Sequence, residues 1–167
     1  GWIGMHSHGN EITWHIPYLY NYAGKPWMTQ RRIRQILDLW YGDGPLGFCG
    51  DEDYGEMSSW YILSAMGFYT VAPGRPVYDI GSPLFEKSTI DIGDGKKFTI
   101  ECRNISAQNK YIQSASMNGK ELNRAWFTHE ELMQGGTLLL NMGPRPNKKW
   151  ATDIENLPVS LTPISSK

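Results

Sequence analysis

The acidic stretch of residues 50–61 reads GDEDYGEMSSWY and joins a loop to an apolar helical pattern. Its three carboxylates, Asp51, Glu52 and Asp53, fall between two glycines. On an extended or looped backbone, side chains two residues apart point the same way, so Asp51 and Asp53 form a candidate pair. Such a pair can bind a hard cation, or one carboxylate can act as a base that the other tunes. The alternative is an acidic helix N-terminus, where carboxylates offset the helix dipole.

A second polar segment lies upstream, in residues 1–15, which are rich in Gly and His and are predicted to form a loop. His6 and His8 suggest zinc, but their spacing fits none of the usual zinc patterns and no Cys is near. Asn10 and Glu11 supply oxygen ligands, which suit calcium better.

The remainder of the first half of the chain predicts helices. Pro17 is placed to begin a short helix that Gly24 would end, and Pro26 is placed to begin a longer one. In that second helix the large apolar side chains follow a helical period and are expected to pack against the next helix, and two glycines stop it near residue 42. A third helix is predicted from about Glu56 to Gly67.

The pattern changes to short β-favouring runs after residue 74. Five strands are predicted, at residues 77–80, 88–92, 97–102, 111–117 and 137–142. Asn118-Gly119 and Asp94-Gly95 are hairpin turn signals, and Thr128 followed by Glu131 predicts a capping box. The tail beyond Pro144 is expected to be irregular. Helices followed by strands predict an α+β fold, or a junction of two domains near residue 74.

Composition limits the possible functions. The chain has 167 residues, of which 40% are hydrophobic and 20% charged, as expected for a globular chain with a core. A net charge of −1 argues against nucleic acid or an anionic membrane surface as a partner. No stretch is long and apolar enough to predict a membrane span. The aromatic content of 13% is compatible with sugar-binding platforms, although core packing is the commoner explanation.

The two polar segments carry a resemblance to a known family. Residues 9–11 (GNE), the run HIPYLYNYAG from His15 to Gly24, and the acidic stretch continuing to Gly67-Phe68-Tyr69 resemble motifs of glycoside hydrolase family 92. The segment GSPLF at residues 81–85 is also similar to the family pattern. The chain departs from the family's Gly-Asn-Glu-Pro-x-His-His pattern, because Ile12, Thr13 and Trp14 precede His15.

The resemblance implies a fold and an activity. Members of the family are calcium-dependent exo-α-mannosidases that invert the anomeric centre, built from an (α/α)₆ barrel joined to a β-sandwich. It implies that residues 1–73 are the last helices of the catalytic barrel and that residues 74–167 form an antiparallel β-sandwich-like region. It further implies mannose-containing glycans as substrates, α-1,2 linkages as the preferred bond, and export to the periplasm or the cell exterior.

The resemblance also implies roles for individual residues. Asp53 is the expected general base, with Asp51 as a second carboxylate that shares or supports this role. Asn10, Glu11 and Asp53 are expected to bind Ca²⁺, whereas Glu52 is expected to face away. Trp14 and His15 are expected to contact the substrate. The family's general acid lies in an upstream segment, so we expect this chain to be a C-terminal fragment that is inactive without the remainder of the parent chain.

One alternative belongs to a different functional class. A non-catalytic carbohydrate-binding module would use the aromatic side chains as sugar platforms and the acidic loop as a structural calcium site. This alternative needs no general acid from another part of the parent chain.

Overall fold

The computed structural model describes the backbone of residues 2–160 and the side chains from residue 4 onward. Gly1 and the last part of the predicted irregular tail, residues 161–167, lie outside the described residues. The chain is a mixed fold in which helices precede strands, so the predicted α+β class is confirmed. The described residues show helices but no closed barrel, and the barrel stays an expectation.

The helices begin and end where the sequence places Pro and Gly. Their bounds are α1 (Leu19–Tyr22), α2 (Pro26–Trp40), α3 (Glu56–Met66) and α4 (His129–Gln134). Short 3₁₀ turns occupy Glu11–Thr13, Ile16–Tyr18 and Ile154–Asn156. Pro26 opens α2, as predicted, because its fixed φ suits the first helical position and its missing N–H is not needed there. Gly67 ends α3 with a φ of 110°, a left-handed conformation that suits glycine.

Ten strands are described, and five of them coincide with the predicted ones to within a residue or so. They are β1 (Trp2–Ile3), β2 (His6–Ser7), β3 (Phe68–Tyr69), β4 (Val77–Ile80), β5 (Lys87–Gly93), β6 (Lys96–Arg103), β7 (Tyr111–Met117), β8 (Lys120–Glu121), β9 (Trp126–Thr128) and β10 (Gly136–Gly143). The two hairpin turns are confirmed, and so is the capping box of Thr128 and Glu131 at the start of α4.

The strands form two larger sheets and one small hairpin. The five-stranded sheet has the order β5-β6-β10-β7-β8, the three-stranded sheet has the order β3-β4-β9, and β1 pairs with β2. All pairs are antiparallel except β6 and β10, which run parallel. This exception to the predicted antiparallel region arises because β10 returns after α4 and inserts between β6 and β7. In addition, β3 brings part of a sheet ahead of residue 74.

The buried apolar side chains form two clusters. The helical cluster joins the loop before α1 to α2 and α3, and contains Trp14, Tyr18, Ile33, Ile36, Leu37, Met57 and Trp60. The β cluster lies between the two larger sheets, where the rings of Phe98 and Phe127 are 5.5 Å apart. Packing of α2 on α3 through Ile33, Ile36 and Leu37 is confirmed, while Trp27 and Trp40 are only half-buried.

Polar side chains of the helical segments connect them to the strands. Asn21 donates to the carbonyls of Ile80 and Ala125, at 3.1 and 3.3 Å. Gln30 accepts from the backbone N–H of Ile112, and Arg34 donates to the carbonyls of Pro83 and Ser106. These bonds fix the helices against the β region and so hold the loop between α2 and α3 in place.

Candidate active site

Glu52 acts as a helix-capping residue at the start of α3. Its carboxylate accepts from the backbone N–H groups of Gly55 and Ser58 and from the hydroxyl of Ser58, the last at 2.6 Å. These hydrogen bonds lower the pKa of Glu52. The dipole-offsetting interpretation of the acidic stretch is therefore correct for Glu52, which points toward α3 rather than toward the other carboxylates.

The next residues adopt an unusual backbone conformation. Asp53 and Tyr54 have φ values of 54° and 58°, and Gly55 follows with 94°. Left-handed conformations are uncommon for residues with a Cβ, and a bulky side chain makes them more costly. These left-handed residues lie between Glu52, which caps α3, and the helix itself, and Asp53 and Tyr54 line a cavity that Glu52 does not line.

Asp53 lies beside Glu11. Together with Tyr54 and Glu56, they line an open cavity of 440 Å³. Burial raises the pKa of Asp53, and the neighbouring Glu11 raises it further by charge repulsion and a hydrogen bond. A carboxyl group with a raised pKa is a stronger base than an ordinary aspartate, which suits proton abstraction.

Two glycines allow the two segments to approach each other. A Cβ atom on Gly50 would lie 2.5 Å from the Cα of Gly9, and one on Gly9 would lie 2.9 Å from the Cα of Gly50. Contacts this short are not tolerated between a Cβ and backbone atoms. The backbones therefore cross at a point that only glycine permits, one residue before Asn10 on one side and Asp51 on the other.

The remaining predicted site residues occupy different environments. Asp51 and Asn10 are exposed, and the carbonyl of Asn10 accepts from the Thr13 hydroxyl at 2.8 Å. His15 is half-buried and precedes the 3₁₀ turn at Ile16–Tyr18. The predicted contact of His15 with substrate stays a prediction.

Trp14 belongs to the helical core. It is 3% exposed, its indole N–H donates to the carbonyl of His8 at 2.6 Å, and its carbonyl accepts from the Trp60 indole at 3.0 Å. A buried ring with both polar groups engaged is not available to a sugar in this structure. Trp14 therefore packs in the core of this structure, and its burial gives no support to the predicted contact with substrate.

His8 connects the segment of Asn10 and Glu11 to the helical core. It is fully buried, its ring lies 4.2 Å from that of Trp60, and its Nε2 atom pairs with the Tyr41 hydroxyl at 2.8 Å. Burial lowers the pKa of His8 to about 3, so this imidazole is neutral at physiological pH. The ring anchors the segment that carries Asn10 and Glu11 onto α3.

The sequence did not identify Tyr54 and Glu56 as lining residues of the carboxylate cavity. The only signal was their position close behind Asp53 in the sequence, where the acidic loop joins the first turn of α3. A larger polar cleft of 490 Å³ lies in the β region beside Arg124 and Glu131, and it shares no residue with the carboxylate cavity.

The oxygen atoms of the cavity carboxylates are the type of ligand that calcium prefers. Glu11 and Asp53 offer carboxylate oxygens on one cavity, and their mutual repulsion is of the sort that a bound cation relieves. Within residues 2–160, no group of three or more His, Cys, Asp or Glu side chains is arranged to hold a metal ion. Glu11 and Asp53 alone are too few ligands to complete a calcium coordination shell.

Comparison with known proteins shows the class of enzyme to which the chain with this carboxylate cavity is related. Most glycoside hydrolases use carboxyl side chains as their catalytic acid and base. Residues 1–144 match the catalytic domain of glycosyl hydrolase family 92. The chain therefore belongs to glycosyl hydrolase family 92.

Individual relatives agree with this assignment. The chain is 38% identical to the family GH92 α-mannosidase BT3965 of Bacteroides thetaiotaomicron, with a TM-score of 0.95 over 99% of this chain. It is 46% identical to the family GH92 inverting mannosidase BT2199 of the same organism, with a TM-score of 0.89 over 94% of this chain. An uncharacterized secreted glycosidase of Arthroderma benhamiae is 36% identical over 92% of this chain.

These relatives are much longer than the chain described here. The chain spans 22% of BT3965, 21% of BT2199 and 20% of the Arthroderma protein. None of the helices in the described part of the chain combines the length and apolarity needed to cross a membrane.

Proposed function

We propose that the full-length protein containing this chain removes terminal α-linked mannose from glycans by inverting hydrolysis. Family membership and the similarity to two solved mannosidases support this proposal. The observation that carries it is the convergence of Glu11 and Asp53 on one cavity. The two residues are far apart in sequence, and the glycine crossing and the His8 anchor bring them together.

Asp53 acts as the general base. In a single-displacement reaction, water attacks the anomeric carbon from the face opposite the leaving group, and the base takes the water proton. The glycosidic C–O bond breaks as the new bond forms, and the leaving oxygen receives a proton from a general acid. We propose that this acid comes from the remainder of the parent chain, because Glu52 is engaged as a helix cap. Asp51, two residues before Asp53, is the second carboxylate, which shares or supports the base role.

Glu11, Asp53 and Asn10 are the residues that would hold Ca²⁺. A bound calcium ion would supply a flexible set of oxygen contacts for sugar hydroxyls and a positive charge near the reacting centre. Glu11 holds its carboxylate beside Asp53 without using it elsewhere in the described contacts, which leaves it available as a ligand. His15 remains a candidate sugar contact because it is half-buried beside this segment.

The proposal also covers the glycosidic linkage of the substrate and the cellular location of the protein. We propose α-1,2-mannosides as the preferred substrates and export to the periplasm or the cell exterior. The secreted glycosidase of Arthroderma benhamiae supports the second point.

The test uses the full-length protein with an aryl α-mannoside and with α-1,2-mannobiose, in the presence of calcium. Asp53→Asn should lower kcat by at least about 100-fold, because the base acts in the transition state. Polarimetry or NMR of the first product should show the anomer of opposite configuration. Chelation should abolish activity and added calcium should restore it.

Glu11→Gln and Glu52→Gln are the matched variants. Glu11→Gln should weaken calcium affinity, measured by calorimetry, whereas Glu52→Gln should leave calcium affinity unchanged. Full activity of Asp53→Asn would remove Asp53 from the base role. A protein that binds mannosides but never hydrolyses them would favour the carbohydrate-binding alternative.

A further inference from the structure

Tyr54 is a fully exposed aromatic residue on the rim of the carboxylate cavity. In the helical cluster, by contrast, the ring of Tyr41 packs against those of Trp60 and Tyr61, with centroid separations of 5.7 and 4.9 Å. Tyr54 makes no such ring contact among the described residues. A large amphipathic side chain that lines a cavity without packing in it presents a free ring face to whatever enters the cavity.

The chain holds Tyr54 there at a conformational cost. Its φ of 58° is left-handed, where a residue with a bulky side chain is disfavoured and where Gly or Asn would fit more easily. Neither folding nor capping of α3 requires a ring at this position, because Glu52 supplies the cap and Gly55 supplies the N-cap residue. The ring therefore contributes nothing to the described packing.

We propose that Tyr54 is a specificity-determining residue that packs its ring against the terminal mannose. The C–H groups on one face of a sugar ring are apolar and are attracted to the face of an aromatic ring, while the phenol can bond a sugar hydroxyl. This inference rests on the proposed function. The position of Tyr54 also indicates which sugar it contacts. The base and its water lie on the face of the terminal sugar opposite the leaving group, and Tyr54 directly follows the base in the sequence. The ring thus contacts the terminal mannose rather than the sugar that leaves.

Three variants of the full-length protein test the assignment. Tyr54→Asn removes the ring and keeps a residue that tolerates the left-handed backbone. Tyr54→Phe keeps the ring. Phe85→Ala removes another exposed ring, outside the cavity. KM and kcat are measured for an aryl α-mannoside, which has a single mannose, and for α-1,2-mannobiose.

Tyr54→Asn should raise KM about 5- to 10-fold for both substrates with little change in kcat, the size expected for one aromatic contact made equally in the ground and transition states. Tyr54→Phe should retain most of the affinity, and Phe85→Ala should have no effect. The melting temperature of Tyr54→Asn should be unchanged or higher, since the strained residue is relieved.

Several results would overturn the assignment. A change in KM for mannobiose alone would place the ring against the leaving sugar. If Tyr54→Asn is active and its KM is unchanged for both substrates, Tyr54 does not contribute to substrate binding. A lower melting temperature of Tyr54→Asn would show that the ring packs on another part of the parent chain. Inactivity of the wild-type protein on all α-mannosides would instead reject the proposed function itself, and this assignment with it.

Discussion

Adjacent acidic residues in this chain have different tasks. Glu52 uses its carboxylate to cap α3, and Asp53 lies beside Glu11 on the carboxylate cavity. The backbone is left-handed at Asp53 and Tyr54, directly after Glu52. A substitution at either acidic residue should therefore give a distinct phenotype.

The first prediction concerns the cap. Glu52→Ala should lower the melting temperature, because it removes three hydrogen bonds to the first turn of α3 and leaves their donors without that partner. Asp51→Ala is the control, since Asp51 is exposed and should leave the melting temperature nearly unchanged. Thermal unfolding of the full-length protein followed by circular dichroism measures both. Equal melting temperatures for the two variants would contradict the capping role.

The second prediction concerns the glycine crossing. Gly50→Ala should lower kcat about 100-fold, because the added methyl would meet the Cα of Gly9 and push the acidic loop away from Glu11. Gly44→Ala is a matched control, because a methyl group there meets no atom within 4 Å. Steady-state kinetics on an aryl α-mannoside decides the point. Normal turnover by Gly50→Ala would show that the crossing can open without harm.

The sequence predicted part of this site and missed part of it. Asp51, Asp53, Asn10 and Glu11 were identifiable because their side chains carry recognisable chemistry at short spacing. The contact of Gly9 with Gly50 joins segments about 40 residues apart, and glycine has no side chain to indicate its neighbour. The resemblance implied a substrate contact for Trp14, and only the fold shows that this side chain is buried in the helical core.

At the scale of elements, α2 and α3 hold the loop that carries the carboxylates. Their contact is made by side chains at helical spacing, including Ile33, Ile36 and Trp60, all of them 1% exposed or less. The helical period in the sequence was enough to predict this packing. Strands β1, β2, β3, β8 and β9 were missed because two or three residues are too short to show alternation.

A third prediction tests this packing. Ile36→Ala should lower the free energy of unfolding by about 2–5 kcal/mol, through lost burial and the cavity left behind. Leu39→Ala, on the exposed side of the same helix, should change it by less than about 0.5 kcal/mol. Chemical denaturation of the full-length protein compares the two. A small effect of Ile36→Ala would mean that the neighbouring side chains refill the space.

At the scale of the whole molecule, a buried carboxyl group lies where the helices meet the sheets. Asp79 of β4 is 1% exposed and accepts from the Asn21 amide and the Tyr22 hydroxyl, both at 3.2 Å. Burial raises the pKa of Asp79 to about 7, although these two hydrogen bonds act in the opposite direction. We therefore expect the stability of the junction between the helices and the sheets to depend on pH.

A fourth prediction follows from the sign of this shift. Between about pH 4 and pH 7 the folded chain binds a proton at Asp79 that the unfolded chain has released, so stability falls as pH rises through this window. The full loss is about 4 kcal/mol, reached near pH 7. Asp79→Asn should remove this dependence. Denaturation curves of wild type and variant across the window measure the difference, and parallel pH profiles would refute the prediction.

The position of β10 in its sheet also bears on how the chain folds. Leu138 of β10 pairs with Ile100 of β6 on one side and with Met117 of β7 on the other. During synthesis the β5–β6 and β7–β8 hairpins emerge first, and each waits with an open hydrogen-bonding edge until the last strand arrives. Nascent chains that stall before residue 136 thus expose two edges able to pair with other molecules. Aggregation of such truncated products is the hazard that this strand order carries.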